Sequence, residues 1–144
     1  MTQALDANIL VFSSDDSSPF RDRARAFLDG LMTGDAIVYV FWPTVMAYLR
    51  ITTHPNVFRA PLSIDQALVN VKAMVDQPNV RVTGEGTDFL SGFRAVAADA
   101  RPTGNLVSDA HLVTLMRENG VRTIWTHDRD FRRFSGIVVR DPFA

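Results

Sequence analysis

Acidic residues beside the predicted strands are the part of this sequence best suited to chemistry. Asp6 follows the segment QAL, Asp109 lies in LVSDAHL at the start of a predicted helix, and Asp128 and Asp130 follow the apolar run VRTI. Three carboxylates in one cleft cannot all stay ionised at neutral pH without a cation, because like charges repel. The chain has no cysteine and no histidine pair at zinc-binding spacing, so oxygen ligands would select a hard cation such as Mg²⁺ or Mn²⁺. Such an ion assists phosphoryl chemistry, since it lowers the pKa of water and neutralises charge on a phosphoryl oxygen.

Alternating strand and helix patterns supply the elements that would position these acids. We predict five strands, at QALD, AIVYV, NVRVTG, VRTIWT and GIVVR. We predict helices at SPFRDRARAFLDGLMTG, WPTVMAYLRITTHP, SIDQALVNVKAMVDQ, TDFLSGFRAVAADA and LVSDAHLVTLMRENG. Signals typical of helix ends are Ser18 and Pro43 at two starts, a capping box of Ser63 with Gln66, and Gly120 after the last helix.

Strands that alternate with helices of about 12 residues are typical of a parallel sheet covered on both faces. We therefore predict a single α/β domain over residues 1–144, a three-layer α/β/α architecture around a central, mainly parallel five-stranded sheet. In such sheets, ligands bind beyond the carboxyl ends of the strands. The helix before strand four has its amino end on that same side, so we expect Asp6, Asp109 and Asp128 to face one rim.

Each acid also has a purely structural interpretation. Asp6 would cap a short helix that follows it, and Asp109 would favour the positive end of its own helix. Asp128 would form an Asx-turn. For Asp130 the structural role is favoured, since only one acid of a D-x-D pair after a strand need face the rim.

Arginines and histidines lie beside the acidic segments. Arg129, Arg132 and Arg133 flank the acidic loop, and a guanidinium binds phosphate in a bidentate fork. We predict that these three arginines bind phosphate groups of a substrate, the alternative being a solvated face or packing against Asp. For His111 and His127 we favour hydrogen bonding over metal ligation, because each is a single histidine beside acids.

Overall charge and hydropathy exclude several functional classes. The net charge of −1 argues against a general nucleic-acid coat, which would be basic. No run reaches the roughly 18 apolar residues that a membrane span needs. The opening segment MTQALDANIL has neither the basic nor the apolar region of a secretion signal. With no cysteine in addition, we expect a cytoplasmic protein that has no contact with membranes.

Three of these segments resemble the PIN-domain ribonucleases, in particular the VapC-type toxins of bacterial toxin–antitoxin pairs. LDANILV resembles the first acidic motif of that family, LVSDAHLVTL the third and TIWTHDRDF the fourth, and the likeness extends through FWPTVMAYLRITTHPNVF and VVRDPF. The resemblance implies a Mg²⁺-dependent endoribonuclease, for which Mn²⁺ can substitute. It implies that Asp6, Asp109 and Asp128 are the catalytic and metal-binding acids, and that Thr126 helps to hold Asp128. It also implies a homodimer and a small cognate antitoxin whose tail wraps the toxin and blocks its site.

One position departs from the family pattern. The helix after the second strand normally carries a Glu, and that position falls at about Ala47, in a stretch with no acid between Phe41 and Asn56. The missing carboxylate bears on metal affinity, on the presence of a second metal and on activity itself. Glu85, in VTGEG after strand three, is a candidate substitute if its loop crosses a lateral gap of roughly 10 Å. The alternative for Glu85 is a solvated loop acid.

Hydrolysis of RNA phosphodiesters is the working hypothesis, with 5′-phosphate and 3′-hydroxyl products. On this hypothesis the phosphates bound by Arg129, Arg132 and Arg133 are those of RNA. The alternative is a degenerate domain that binds RNA or protein without cleavage, since one expected carboxylate is missing. Two other classes with acids at strand ends are disfavoured. The residues after Asp6 do not form the D-x-D-x-T motif of haloacid-type phosphatases, and the sole lysine, Lys72, lies in a predicted middle helix rather than after a late strand, as in receiver domains.

Overall fold

The computed structural model describes residues 1–144 and contains five strands and six helices. The strands are β1 (Thr2–Leu5), β2 (Ile37–Phe41), β3 (Val80–Thr83), β4 (Thr123–Trp125) and β5 (Val138–Arg140). The helices are α1 (Ala7–Ser14), α2 (Arg21–Met32), α3 (Trp42–Thr52), α4 (Ile64–Val75), α5 (Phe89–Ala100) and α6 (Leu106–Glu118), and a 3₁₀ turn spans Arg129–Arg133. None of the helices combines the length and the apolarity that a bilayer crossing requires.

All strands form one parallel sheet in the order β3-β2-β1-β4-β5. The predicted fold class is confirmed, and the sheet is wholly rather than mainly parallel. The last residues of β1 and β4, Leu5 and Trp125, are paired in register. The residues that follow them, Asp6 and Thr126, therefore leave the sheet side by side at its carboxyl end.

Two hydrophobic cores cover the two faces of the sheet. Ala4 and Leu5, adjacent in β1, belong to different cores, because side chains alternate between the faces of a strand. One core contains residues of α1, α2, α3 and α4, with Ile9 fully buried. The other contains residues of α5, α6 and the 3₁₀ turn, with Val113 and Phe131 fully buried. This arrangement is the predicted α/β/α sandwich.

Several predicted helix ends are confirmed. Pro43 lies in the first turn of α3. Ser63 and Gln66 form the reciprocal capping box of α4. Gly120 follows the C-cap of α6 with a φ of +67°, a left-handed conformation that glycine adopts without steric cost.

The start predicted for the helix SPFRDRARAFLDGLMTG, which is α2 in the structure, was wrong. α2 begins at Arg21 rather than at Ser18. The Ser18 hydroxyl accepts a hydrogen bond from the N–H of Phe20 at 3.1 Å, so it closes a separate turn before the helix. A serine followed by a proline is common both in turns and at helix starts. The backbone conformation of the residues that follow decides between the two, and the sequence does not contain it.

Candidate metal centre

Three carboxylates converge at the carboxyl-end rim of the sheet. Oxygen atoms of Asp109, Asp128 and Asp130 all lie within 4.8 Å of one another. Asp109 comes from the first turn of α6, whereas the other two come from the loop and the 3₁₀ turn after β4. Oxygens this close are suited to sharing one divalent ion.

Asp6 lies beside this group and also caps a helix. Its Oδ1 accepts a hydrogen bond from the N–H of Ala7 at 2.7 Å, which makes it the N-cap of α1. Its Oδ2 accepts one from the Thr126 hydroxyl, also at 2.7 Å. The capping interpretation of Asp6 is thus confirmed. Because each carboxylate oxygen has a second lone pair, capping leaves room for a metal contact, and that contact stays a prediction.

Thr126 connects Asp6 to the loop that carries Asp128. Its hydroxyl donates its single hydrogen to Asp6 and accepts from the N–H of Asp128 at 2.9 Å and from the amide of Asn8 at 3.3 Å. Thr126 is only 1% exposed, so water does not compete for these bonds. This geometry supports the predicted role of Thr126 in holding the loop.

The loop itself is a tight turn. Oδ1 of Asp128 accepts a hydrogen bond from the N–H of Asp130 at 2.9 Å and so caps the 3₁₀ turn, as the structural interpretation of Asp128 anticipates. Phe131 is fully buried and fixes the turn to the core. The turn brings both acids towards Asp109, although the sequence alone favours a purely structural Asp130.

Burial and mutual repulsion raise the pKa values of two of these acids, Asp109 and Asp6. Burial, followed by the charges of Asp128, Asp6 and Asp130, raises the pKa of Asp109 to about 7. Burial also raises the pKa of Asp6 against the hydrogen bonds from Thr126 and the following N–H, and the charge of Asp128 adds to that rise. A group of carboxylates that is unfavourable when fully ionised takes up a proton or a cation. Its donors are all oxygens, so it fits a hard divalent ion.

Glu85 does not join the carboxylate group. Its carboxylate is hydrogen-bonded to Nε2 of His111 at 2.5 Å, and the N–H of Gly86 donates to the carboxylate of Glu118 at 2.9 Å. These contacts hold the loop after β3 against α6 instead of letting it cross to the acids. Helix α3, which contains Ala47, has no acidic side chain. The carboxylate that the resemblance predicts on this helix therefore has no replacement there.

The three arginines predicted to contact RNA lie on the outer side of the 3₁₀ turn. Arg129, Arg132 and Arg133 are exposed, whereas Phe131 and Phe134 point into the core. None of the three forms a salt bridge with an acid of the chain. Their guanidinium groups are therefore exposed and without an acidic partner, and their contact with RNA stays a prediction.

Two further residues support the candidate site through its neighbours, and the sequence analysis missed both. Asn8, in the first turn of α1, donates to the Thr126 hydroxyl. Asp141 pairs with Nδ1 of His127 at 2.8 Å, and it directly follows β5, so inspection of every strand end would have found it. His127 and His111 both have the hydrogen-bonding role predicted for them.

Known proteins resemble this chain over nearly its full length, although no protein-family model matches it. It is 44% identical over 144 residues to ribonuclease VapC48 of Mycobacterium tuberculosis, covering 100% of this chain and 99% of that relative. It is 29% identical to ribonuclease VapC37 of the same species, covering 97% and 96%. A chain of VapBC2 from Rickettsia felis, bound to a promoter DNA fragment, has a TM-score of 0.70 at 12% identity, covering 98% of both chains. VapC20 of M. tuberculosis, a sarcin-ricin loop cleaving toxin, has a TM-score of 0.66 at 14% identity, covering 94% and 98%.

Proposed function

The chain belongs to the family of VapC ribonucleases, and from this membership we propose that it is a metal-dependent endoribonuclease acting as the toxin of a toxin–antitoxin pair. The observation that carries the proposal is the convergence of Asp109, Asp128 and Asp130 in a chain 44% identical over its length to ribonuclease VapC48. The substrate class is RNA, and the bond cleaved is a phosphodiester.

Asp109, Asp128 and Asp130 would hold the ion, with Asp6 beside them as a further oxygen donor. We propose Mg²⁺ as the ion, with Mn²⁺ as a substitute, because carboxylates prefer hard cations. When bound at such a site, a divalent ion neutralises charge on a phosphoryl oxygen and lowers the pKa of water. In-line hydrolysis would leave a 5′-phosphate and a 3′-hydroxyl.

The other residues of the site bind and orient. The Thr126 hydroxyl fixes Asp6 relative to Asp128. Asp128 would orient the attacking water, since it lies in the turn that faces Asp109. The exposed guanidinium groups of residues 129, 132 and 133 would bind phosphates beside the scissile bond in bidentate pairs. A positive cluster next to an acidic centre would let a nearly neutral protein bind RNA locally.

We propose two protein partners, a cognate antitoxin and a second copy of the chain. Large apolar side chains are exposed at i, i+4 spacing on two helices: Trp42 and Met46 on α3, and Ile64 and Leu68 on α4. Residues four apart share a helix face, so each pair forms an apolar patch that partner contact would remove from water. Light scattering of the chain alone and with its antitoxin would measure both assemblies.

RNA cleavage by matched variants tests the proposed activity. A fluorogenic RNA is incubated with Mg²⁺, with Mn²⁺ and with EDTA, using the wild type, Asp109→Asn and the control Asp35→Asn. Asp35 is an exposed acid just before β2, at the amino end of the strands and so opposite the carboxyl-end rim. We expect EDTA and Asp109→Asn to abolish cleavage, and Asp35→Asn to leave it unchanged. Cleavage that persists in EDTA, or in Asp109→Asn, would contradict the proposal.

A degenerate module that binds RNA or protein without cleavage is the second candidate. The absence of an acid on α3 favours it, because one expected carboxylate is missing. RNA binding by the wild type without turnover, in the presence of either ion, would support this alternative over the nuclease.

A further inference from the structure

We propose that Asp141 is a positioning residue for the candidate metal centre: through His127 it holds the 127–130 loop so that the carboxylates of Asp128 and Asp130 face Asp109. The inference rests on the proposed function, since it concerns the same site. Asp141 itself lies outside the carboxylate group, and we assign it no contact with substrate or ion.

The loop has few other ties to the rest of the protein. Among the side chains of residues 127–130, only that of His127 makes a hydrogen bond outside the loop. The loop is fixed before this stretch by the buried Thr126 and after it by the buried Phe131. Between those two points, like charges push the acids apart. The bond from His127 to Asp141 opposes this displacement from one side of the loop, and the bond from the N–H of Asp128 to the Thr126 hydroxyl opposes it from the other.

Asp141 is itself held firmly. Its Oδ2 pairs with His127, and its Oδ1 accepts a hydrogen bond from the N–H of Phe143 at 2.9 Å. Phe143 is buried and stacks on Phe20 with 4.7 Å between the ring centroids. The Arg23 guanidinium, from α2, donates to the carbonyl oxygen of Phe143 at 2.7 Å. Both carboxylate oxygens of Asp141 are thus in use, and the turn that carries it is anchored to α2.

The His127 ring also lies among aromatic side chains. Its centroid is 4.8 Å from that of Phe20 and 5.3 Å from that of Phe143. Packing against the two phenyl rings therefore limits how far the imidazole can tilt, and the bond to Asp141 fixes the direction in which Nδ1 points. Residues that hydrogen-bond to metal ligands commonly affect metal affinity on the order of 10–100-fold. Because Asp141 acts one step further out, through His127, we expect an effect at the lower end of that range.

Metal binding by two Asp141 variants tests this role without any RNA. Asp141→Ala removes both acceptors, whereas Asp141→Asn keeps an oxygen for the N–H of Phe143 and an amide group that can donate to Nδ1 of His127 in its Nε2–H tautomer. We expect calorimetric titration with Mn²⁺ to show a loss of affinity on the order of tenfold for Asp141→Ala, and affinity close to that of the wild type for Asp141→Asn. Amide hydrogen exchange of residues 127–130 should accelerate in Asp141→Ala, while exchange in β1 and α6 stays unchanged.

A destabilised control separates positioning from loss of stability. Val80→Ala creates a cavity on β3, at the far edge of the sheet, and should lower the melting temperature without changing Mn²⁺ affinity. Unchanged Mn²⁺ affinity in Asp141→Ala would overturn the inference. So would an equal loss in Val80→Ala, or a loss in Asp141→Asn as large as in Asp141→Ala.

Asp109→Asn distinguishes this inference from the proposed function. If Asp109→Asn loses Mn²⁺ binding and Asp141→Ala retains it, only the positioning role fails. If Asp109→Asn binds Mn²⁺ as the wild type does, the proposed metal centre fails, and the positioning role fails with it.

Discussion

The Thr126 hydroxyl donates a 2.7 Å hydrogen bond to Oδ2 of Asp6 and joins two residues 120 positions apart in the chain. The same hydroxyl accepts from the N–H of Asp128. One side chain therefore sets the distance between two of the proposed ligands, because β1 and β4 end side by side.

Thr126→Val tests this connection with little change in side-chain shape. The variant leaves Oδ2 of Asp6 and the N–H of Asp128 without their partner, and unpaired buried polar groups cost about 1–3 kcal/mol. We expect a corresponding loss in the free energy of unfolding, measured by urea denaturation, and a loss of RNA cleavage. Thr126→Ser, the control, keeps the hydroxyl and should retain most of both. Equal effects of the two variants would show that the methyl group, not the hydrogen bonds, matters.

Stability without metal should fall as the pH rises towards neutral. The pKa of Asp109 is raised from 3.8 to about 7 in the folded protein, so between these values the folded state binds more protons than the unfolded state. The stabilising contribution is complete below about pH 4 and is lost as the pH rises through about 7. Melting temperatures in EDTA measure this slope, and Asp109→Asn should flatten it. A slope identical to that of the wild type in Asp109→Asn would contradict the pKa assignment.

Protons and metal should compete for the same carboxylates. Because Asp109 is half protonated at a pH of about 7, an ion must displace that proton to bind. We expect the Mn²⁺ affinity to fall below pH 7, approaching about tenfold per pH unit for one proton, and to level off above it. Calorimetry at several pH values checks this, with Asp35→Asn expected to follow the wild type. A constant affinity from pH 6 to 8 would refute the competition.

Arg132 and Arg133 should bind RNA phosphates. Changing both to Gln, in the Asp109→Asn background to prevent cleavage, should weaken RNA binding. It should also reduce the slope of log affinity against log salt by about 0.7 for each lost phosphate contact. Fluorescence anisotropy at a series of salt concentrations measures the slope. Lys72→Gln is the control, because Lys72 lies near the end of α4, close to the amino end of β3 and away from the carboxyl-end rim. An equal change of the slope in Lys72→Gln would rule out a local contact of Arg132 and Arg133 with RNA.

The sheet and the main acids could be predicted because a parallel topology converts chain order into position. Once β1 and β4 are adjacent, the residues after them must share a rim, and the helix before β4 must begin there. Asp6, Asp109 and Asp128 follow from that rule alone. The structure places these acids near one another, since the charges of Asp6 and Asp128 both help to raise the pKa of Asp109.

The positions of Asp130 and Glu85 could not be predicted, because they depend on contacts that the hydrophobic periodicity of the sequence does not indicate. The approach of Asp130 to Asp109 requires the 3₁₀ turn after Asp128. The position of Glu85 is decided by its bond to His111. Such side-chain pairs join residues distant in sequence, so a single chain without its structure carries no signal for them.

Chain order gives the Asp6–Thr126 bond a consequence during protein synthesis. Asp6 emerges from the ribosome first, and the hydroxyl that binds it is translated 120 residues later. The β5 backbone that accepts from the N–H of Thr126 follows later still. A nascent polypeptide therefore carries no assembled centre until residues 126–140 have emerged, and any cleavage by this protein must await them.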